Sequence, residues 1–211
     1  MTHIYTLPGV LEEKLVDLFW PPNLKEKGHN FVRQGNHLAP LLLGRPELDV
    51  NQVSEAQRFS NTYNFHLTRG RAEQLGIDTA LLSAEMGRML AQFHMTARND
   101  ARGIKVVLGA NITDNLNPQT RREHRAWVID FNQVREFDFT EEQIPLLVDG
   151  FFMNEAHFPR ARPADPYYNT FSKAYIEECG KVGEFAGRLG CKFVVELEAE
   201  QARQDANGVG V

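Results

Sequence analysis

Cysteine is scarce in this 211-residue chain, which carries only Cys179 and Cys191. If both lie on one continuous helix, a rise of ~1.5 Å per residue sets them about 18 Å apart, too far to bridge. Reduced thiols in the cytoplasm or nucleus fit that usage. Long apolar runs are missing too. None approaches the ~20 residues needed to span a bilayer, and the longest, around Pro40 to Leu43, is strand-sized. The N-terminus has no basic region followed by an apolar stretch, so no secretory signal is read and an intracellular, non-membrane protein is expected. Positive charge is not in excess either. The net charge is −5 and the pI about 5.8, which argues against a general nucleic-acid binder. Two basic clusters, Arg98 with Arg102 and Lys105, and Arg121 with Arg122 and Arg125, read as solvated loop charge or as local patches.

The motifs of several enzyme classes are also absent. There is no G-x-G-x-x-G, no Walker A loop and no G-x-S-x-G. The seven histidines are scattered, none at a spacing typical of zinc ligands, and neither cysteine sits in a C-x-x-C. No metal and no cofactor is expected.

What remains is an ordinary globular composition, 42% hydrophobic and 24% charged. Val10, Leu11, Leu15, Leu18 and Phe19 form one stripe of a helix over 9–19, ended by Pro21-Pro22. Residues 23–30 read as polar loop, and Phe31-Val32-Arg33 and His37 to Leu43 as extended pieces. Residues 45–57 read as loop and Arg58 to Leu67 as extended, followed by a helical turn near 71–75. The clearest helix covers 79–97, with Asp78 as cap and Leu81, Leu82, Met86, Met89, Leu90 and Phe93 on its buried face. Ile104 to Leu108 is a strand, 110–124 a loop, and Ala126 to Phe131 a second, buried strand pairing with the first. Thr140-Glu141-Glu142-Gln143 is a capping box for a helix to about Phe152. A proline-bearing loop covers 154–166, and Tyr167 to Leu189 reads as one long helix. The fold class expected is α+β, mainly helical, with a small hairpin. One domain over 1–197 is the economical reading, with a polar tail over 198–211 that frays.

The stretch from Leu90 to Asn132 carries the chemistry. A helix ends at Phe93-His94, a polar turn holds Asn99 and Asp100, Lys105 opens a strand, and a second strand ends in Asp130-Phe131-Asn132. Protein kinases and antibiotic kinases use this layout. One Asp serves the acceptor hydroxyl, an Asn five positions on holds metal, and a second Asp followed by Phe holds the metal on the phosphates. Asp100 and Asp130 fall in the two Asp positions. Lys105 fills the Asn position, and a cation cannot ligate magnesium. The alternative is structural: Asp100 caps a turn, and Asp130 ends a strand by bonding loop amides.

Segments Met89 to His94, Asp100 to Gly109, Trp127 to Arg135 and Phe152 to Arg160 resemble a fungal family of unknown function, the domain of unknown function 3669, often labelled zinc finger protein. The resemblance rests on Phe93-His94-Met95, Val106-Val107-Leu108-Gly109, Ile129-Asp130-Phe131-Asn132-Gln133 and His157-Phe158-Pro159-Arg160. Arg58-Phe59-Ser60, Leu75-Gly76-Ile77-Asp78 and Leu7-Pro8-Gly9 add to it. The chain departs from the family at Lys105, where an acidic residue is usual, and at Met95, where Trp is usual. The resemblance implies the large lobe of a kinase-like fold without the small lobe that clamps nucleotide.

Two functions follow as expectations. The first is a pseudokinase-like domain that binds a protein partner or small molecule and does not transfer phosphate by itself. Lys105, Asn132 and Arg160 are its candidate ligand-binding residues. The second is a small-molecule enzyme of fungal secondary metabolism with His94, Asp100 and Asp130 as acid–base groups.

Overall fold

The computed structural model describes residues 4, 7, 9–20, 22–33, 38–45, 66–111, 123–154 and 156–208. Among the described residues the fold is α+β and 61% helical, with four short strands. Residue contacts divide the chain into two compact units, each described by itself: Met1–Leu41 with Leu48–His66 and Val106–Trp127, and Leu42–Glu47 with Leu67–Lys105 and Val128–Val211. Among the described residues no helix is long and apolar enough to cross a membrane.

In the first unit, helix α1 (Gly9–Phe19) follows the apolar stripe, with Leu15 and Val16 buried. The segment read as polar loop is instead a 3-10 turn, Pro22–Leu24, leading into helix α2 (Lys25–Val32), which also takes in Phe31 and Val32. Glycine hid this helix from the sequence reading. A Cβ at Gly28 would lie 2.7 Å from Val16 Cγ1 and 2.8 Å from the Trp20 ring, so the low helix propensity of glycine accompanies a close helix crossing. Strands β1 (Ala39–Leu42), β3 (Lys105–Asn111) and β4 (Glu123–Ile129) follow. Strand β1 pairs antiparallel with β3, Ala39 opposite Leu108 and Pro40 opposite Val107. Strand β3 has β4 on its other side, so the two expected strands are neighbours. Strand β4 is not the buried strand its content suggested. Arg125 is exposed and Ala126 and Trp127 are half-buried, as fits the last strand of the row. The expected loop at 45–57 and extended piece at 58–67 lie largely outside the described residues.

The second unit contains β2 (Leu67–Thr68) and α3 (Arg69–Gln74). Helix α4 (Thr79–Ala91) starts where Asp78 accepts the Leu81 amide at 2.9 Å. It ends in a π turn, Gln92–Thr96. Its buried face holds Leu82, Met86, Leu90, His94 and Met95, whereas Leu81 is exposed. Helix α5 (Ile144–Met153) is preceded by a 3-10 turn, Glu141–Gln143. The capping box does not close as expected. The Gln143 side chain reaches past Thr140 to accept the Asp138 amide at 3.0 Å.

The long helix read over 167–189 is two helices, α6 (Pro166–Val182) and α7 (Glu184–Ala206). Gly183 separates them at φ +151, a conformation that side-chain-bearing residues rarely adopt. The single-helix distance between Cys179 and Cys191 therefore does not apply, although both thiols are free. Helix α7 also runs through 198–206, where composition suggested a fraying tail. Gln201 is buried there, and Asp205 accepts from Arg162 at 2.7 and 2.8 Å.

Phe151, Phe158, Tyr168, Phe171, Tyr175 and Phe193 form the core of this unit, ring against ring. Helix α4 packs against α6 at Gly87, where a Cβ would meet the Phe171 carbonyl oxygen at 2.2 Å. Gly87→Ala is expected to cost several kcal/mol, because backbone must move to admit one methyl group. Gly180→Ala, on α6, adds a Cβ with nothing within 4 Å and is expected to gain up to about 1 kcal/mol from helix propensity. Chemical denaturation of the two variants checks both signs.

Candidate functional site

The segment from the π turn to the start of β3 is held from several sides. Asp100 is fully buried. One carboxylate oxygen accepts the amides of Arg102 at 3.1 Å and Arg135 at 2.9 Å, and the other accepts Arg102 Nε at 3.3 Å. The Asp100 amide donates back to the Arg135 carbonyl at 3.0 Å. Asn154, buried at the end of α5, donates to the Ala101 carbonyl at 2.7 Å. Gly150 lets α5 close on the same turn, since a Cβ there would lie 2.5 Å from the Asp100 carbonyl oxygen. Ala101 takes φ +50 within this clasp, a conformation that needs surrounding contacts to persist.

Arg102 corrects the reading of its cluster as solvated charge. Its side chain is buried between Asp100 and Asp149. The hydrogen bond to Asp149, more than the one to Asp100, holds the guanidinium above its usual pKa.

His94 is also fully buried. Its Nδ1 lies 2.8 Å from the Tyr175 hydroxyl, and its ring meets Phe193 edge-on at 5.1 Å. Its Nε2 makes no hydrogen bond of ordinary geometry among the described residues. Burial lowers the imidazole pKa to about 3, and the neighbouring Asp100 backbone offsets only part of this. Burial likewise raises the Tyr175 hydroxyl and pushes the Cys179 thiol up to about 12. At neutral pH these three groups are all uncharged.

Asp130 and Lys105 form the other half of the sequence-derived constellation. Lys105 Nζ stands 2.5 Å from the Asp130 carboxylate, with the lysine 56% exposed and the aspartate 29%. Asp130 takes φ +69 at the end of β4, a left-handed conformation that aspartate tolerates better than most residues. Phe131 and Asn132 are exposed beyond it, and Phe131 meets Phe93 at 5.8 Å. Arg160 turns elsewhere and donates from Nε to the Gly44 carbonyl at 3.0 Å.

The structure thus pairs Lys105 with Asp130 and assigns Asp100 a different cation, Arg102. Sequence reasoning took Arg102 only as a member of a basic cluster and passed over Asp149 and Asn154. Arg102 lies two residues after Asp100 and offers both an amide and a guanidinium, the spacing of an Asx turn. That was the available signal.

Neutral His94 gives a signed pH prediction. Its pKa is about 3 when folded, against an ordinary 6.5. The unfolded chain therefore takes up a proton below pH 6.5 that the native protein refuses, and stability falls as pH drops from 6.5 towards 3. At about 1.4 kcal/mol per unit, the loss from this one group reaches roughly 3 kcal/mol by about pH 4. His94→Gln should be less stable at neutral pH yet show a shallower acid slope. Equilibrium denaturation across that range measures it, and parallel slopes would exclude the buried imidazole as the source.

Residues 126–184 match DUF3669, a family described as zinc finger protein. The matched span takes in Trp127 to Arg135 and Phe152 to Arg160, and excludes the Met89 to His94 and Asp100 to Gly109 segments. Among the described residues no group of three or more His, Cys, Asp and Glu side chains could hold a metal ion. No curated protein and no solved structure matches the chain.

Proposed function

We propose that this chain is a binding domain that follows, in the order of its elements along the sequence, the layout of a kinase large lobe and does not transfer phosphate by itself. The reading is supported by the order of its parts: helix α4 with its π turn, the Asp100 loop, strands β3 and β4, then Asp130-Phe131. The observation that carries it is the Lys105–Asp130 pair. In a phosphotransferase the second aspartate gives its oxygens to the metal that bridges the phosphates. Here a tethered ammonium rests on that carboxylate, neutralising it without a divalent cation. Lys105 and Asp130 remain accessible, with exposed Asn132 beside them, and offer paired charges to a small ligand or a protein partner.

The same geometry weighs against acid–base catalysis by His94 and Asp100. A general base must come within hydrogen-bond reach of its substrate. Both groups are fully buried, and the Asp100 carboxylate already accepts three hydrogen bonds from the chain.

Incubation of the purified chain with ATP, magnesium and hydroxyl acceptors is expected to give no turnover. Turnover abolished by Asp130→Asn would sink the proposal. Magnesium is expected to leave the melting temperature of the parent unchanged and to raise that of Lys105→Ala, in which the Asp130 carboxylate is released. Because the pair is half in solvent, Lys105→Ala itself should cost no more than about 1 kcal/mol.

A further inference from the structure

We propose that Arg98, Phe139 and Phe185 form a docking surface for a protein segment bearing carboxylates beside an aromatic or large aliphatic side chain. It stands whether or not Asp130 and Lys105 bind a ligand, since it uses neither residue.

Two non-glycine residues in left-handed backbone meet at this surface, Arg98 at φ +54 and Phe139 at φ +55. Each such residue costs on the order of 1 kcal/mol or more and persists only where its surroundings impose it. Here the imposing contacts are identifiable. The Phe137 amide donates to the Arg98 carbonyl at 2.9 Å, and Asn99 bridges Glu136 in antiparallel fashion. The result places the Arg98 guanidinium 3.7 Å from the centroid of the Phe139 ring. Buried Phe137 meets that ring at 6.1 Å, and Phe185 meets it edge-on at 5.6 Å. Phe185 stays 40% exposed at the start of α7, and Val182, three residues before it, is 48% exposed.

Charge identifies the occupant. The guanidinium uses its face on the ring and leaves its N–H edge for a planar anion, the geometry that suits a carboxylate. Arg98 is exposed and has no ion pair among the described residues. Of the carboxylates in the flanking segments, Asp138 is engaged by Gln143, Glu141 by Lys192 and Glu184 by Arg188, and exposed Glu136 has no ion pair among the described residues. An acidic side chain from outside would fill the Arg98 fork, and an adjacent apolar side chain would cover Phe185. Rigid aromatic and arginine anchors of this kind carry a large share of the energy at protein interfaces.

The test is fluorescence anisotropy of the full chain with a set of labelled peptides, each bearing one Phe, Leu or Trp flanked by Asp and Glu. Controls carry Asn and Gln in place of the acids, or Ala in place of the apolar residue. At least one acidic peptide is expected to bind, more weakly as salt rises, and both kinds of control to lose binding. Arg98→Ala and Phe185→Ala should each weaken it by about tenfold or more. Arg98→Lys should restore little, because an ammonium lacks the planar fork. Phe139→Gly separates docking from folding, since glycine relieves the left-handed strain while removing the ring. It should melt no lower than the parent within a few degrees, yet bind poorly. No binding by any acidic peptide at millimolar concentration, equal binding of the amide controls, or undiminished binding by Arg98→Ala would overturn the proposal. So would concentration-dependent self-association abolished by Phe185→Asp, which would assign the surface to a second copy of the chain.

Discussion

A carboxylate shut away from water must have its hydrogen-bond donors supplied by the chain, and Asp100 draws its donors from two segments thirty-odd residues apart. Arg102 gives an amide and a guanidinium, and Arg135 gives an amide. Once these bonds form, residues 98–100 run beside 135–137, and the turn lies close enough for Asn154 and Gly150 of α5 to seat against it. Left-handed Ala101 and Arg98 are consequences of the same closure. Removing the carboxylate would leave the buried Arg102 guanidinium with only the surface-exposed Asp149 as its counter-ion. One short, charged turn therefore organises the approach of α4, α5 and the chain beyond β4.

The charged groups of the second unit divide according to their access to water. Asp100 and Arg102 are inside, and their bonds are directed to backbone and to each other. Lys105, the first residue of β3, and Asp130, directly after β4, remain partly in solvent, where a partner could compete for them. The distinction separates a structural acid from an accessible one within a pattern that looks symmetrical on paper. It also separates the two functional readings, since acid–base chemistry needs reachable groups whereas binding needs only the exposed pair.

Helix packing obeys a comparable economy of space. Gly87 on α4 lies against the Phe171 backbone, and Gly190 on α7 lies where a Cβ would be 2.7 Å from Cys179 Sγ. Missing side chains at these points bring backbones together, and the aromatic rings between the helices fill what remains. The thiol, hydroxyl and imidazole of Cys179, Tyr175 and His94 are enclosed by that packing, which keeps each of them neutral.

Local periodicity and capping were enough to establish α1, α4 with its Asp78 cap, the neighbouring strands β3 and β4 to within a few residues of their ends, and the proline-bearing loop before α6. These depend on spacing within a dozen residues, which a sequence displays directly. Helix α2 was hidden because Gly28 and the polar run around it lower helix propensity, and only the contact with Val16 and Trp20 shows why glycine is there. The break at Gly183 was hidden because its apolar pattern continues across it on both sides. The candidate acids were found by position, yet which of them meets Lys105 depended on where the 98–102 turn folds. Arg102 reaches Asp100 from two residues away and satisfies it locally, so Lys105 is left to Asp130. Sequence spacing named the charged groups, and the long-range bonds from residue 135 and from α5 decided which were buried and which remained accessible.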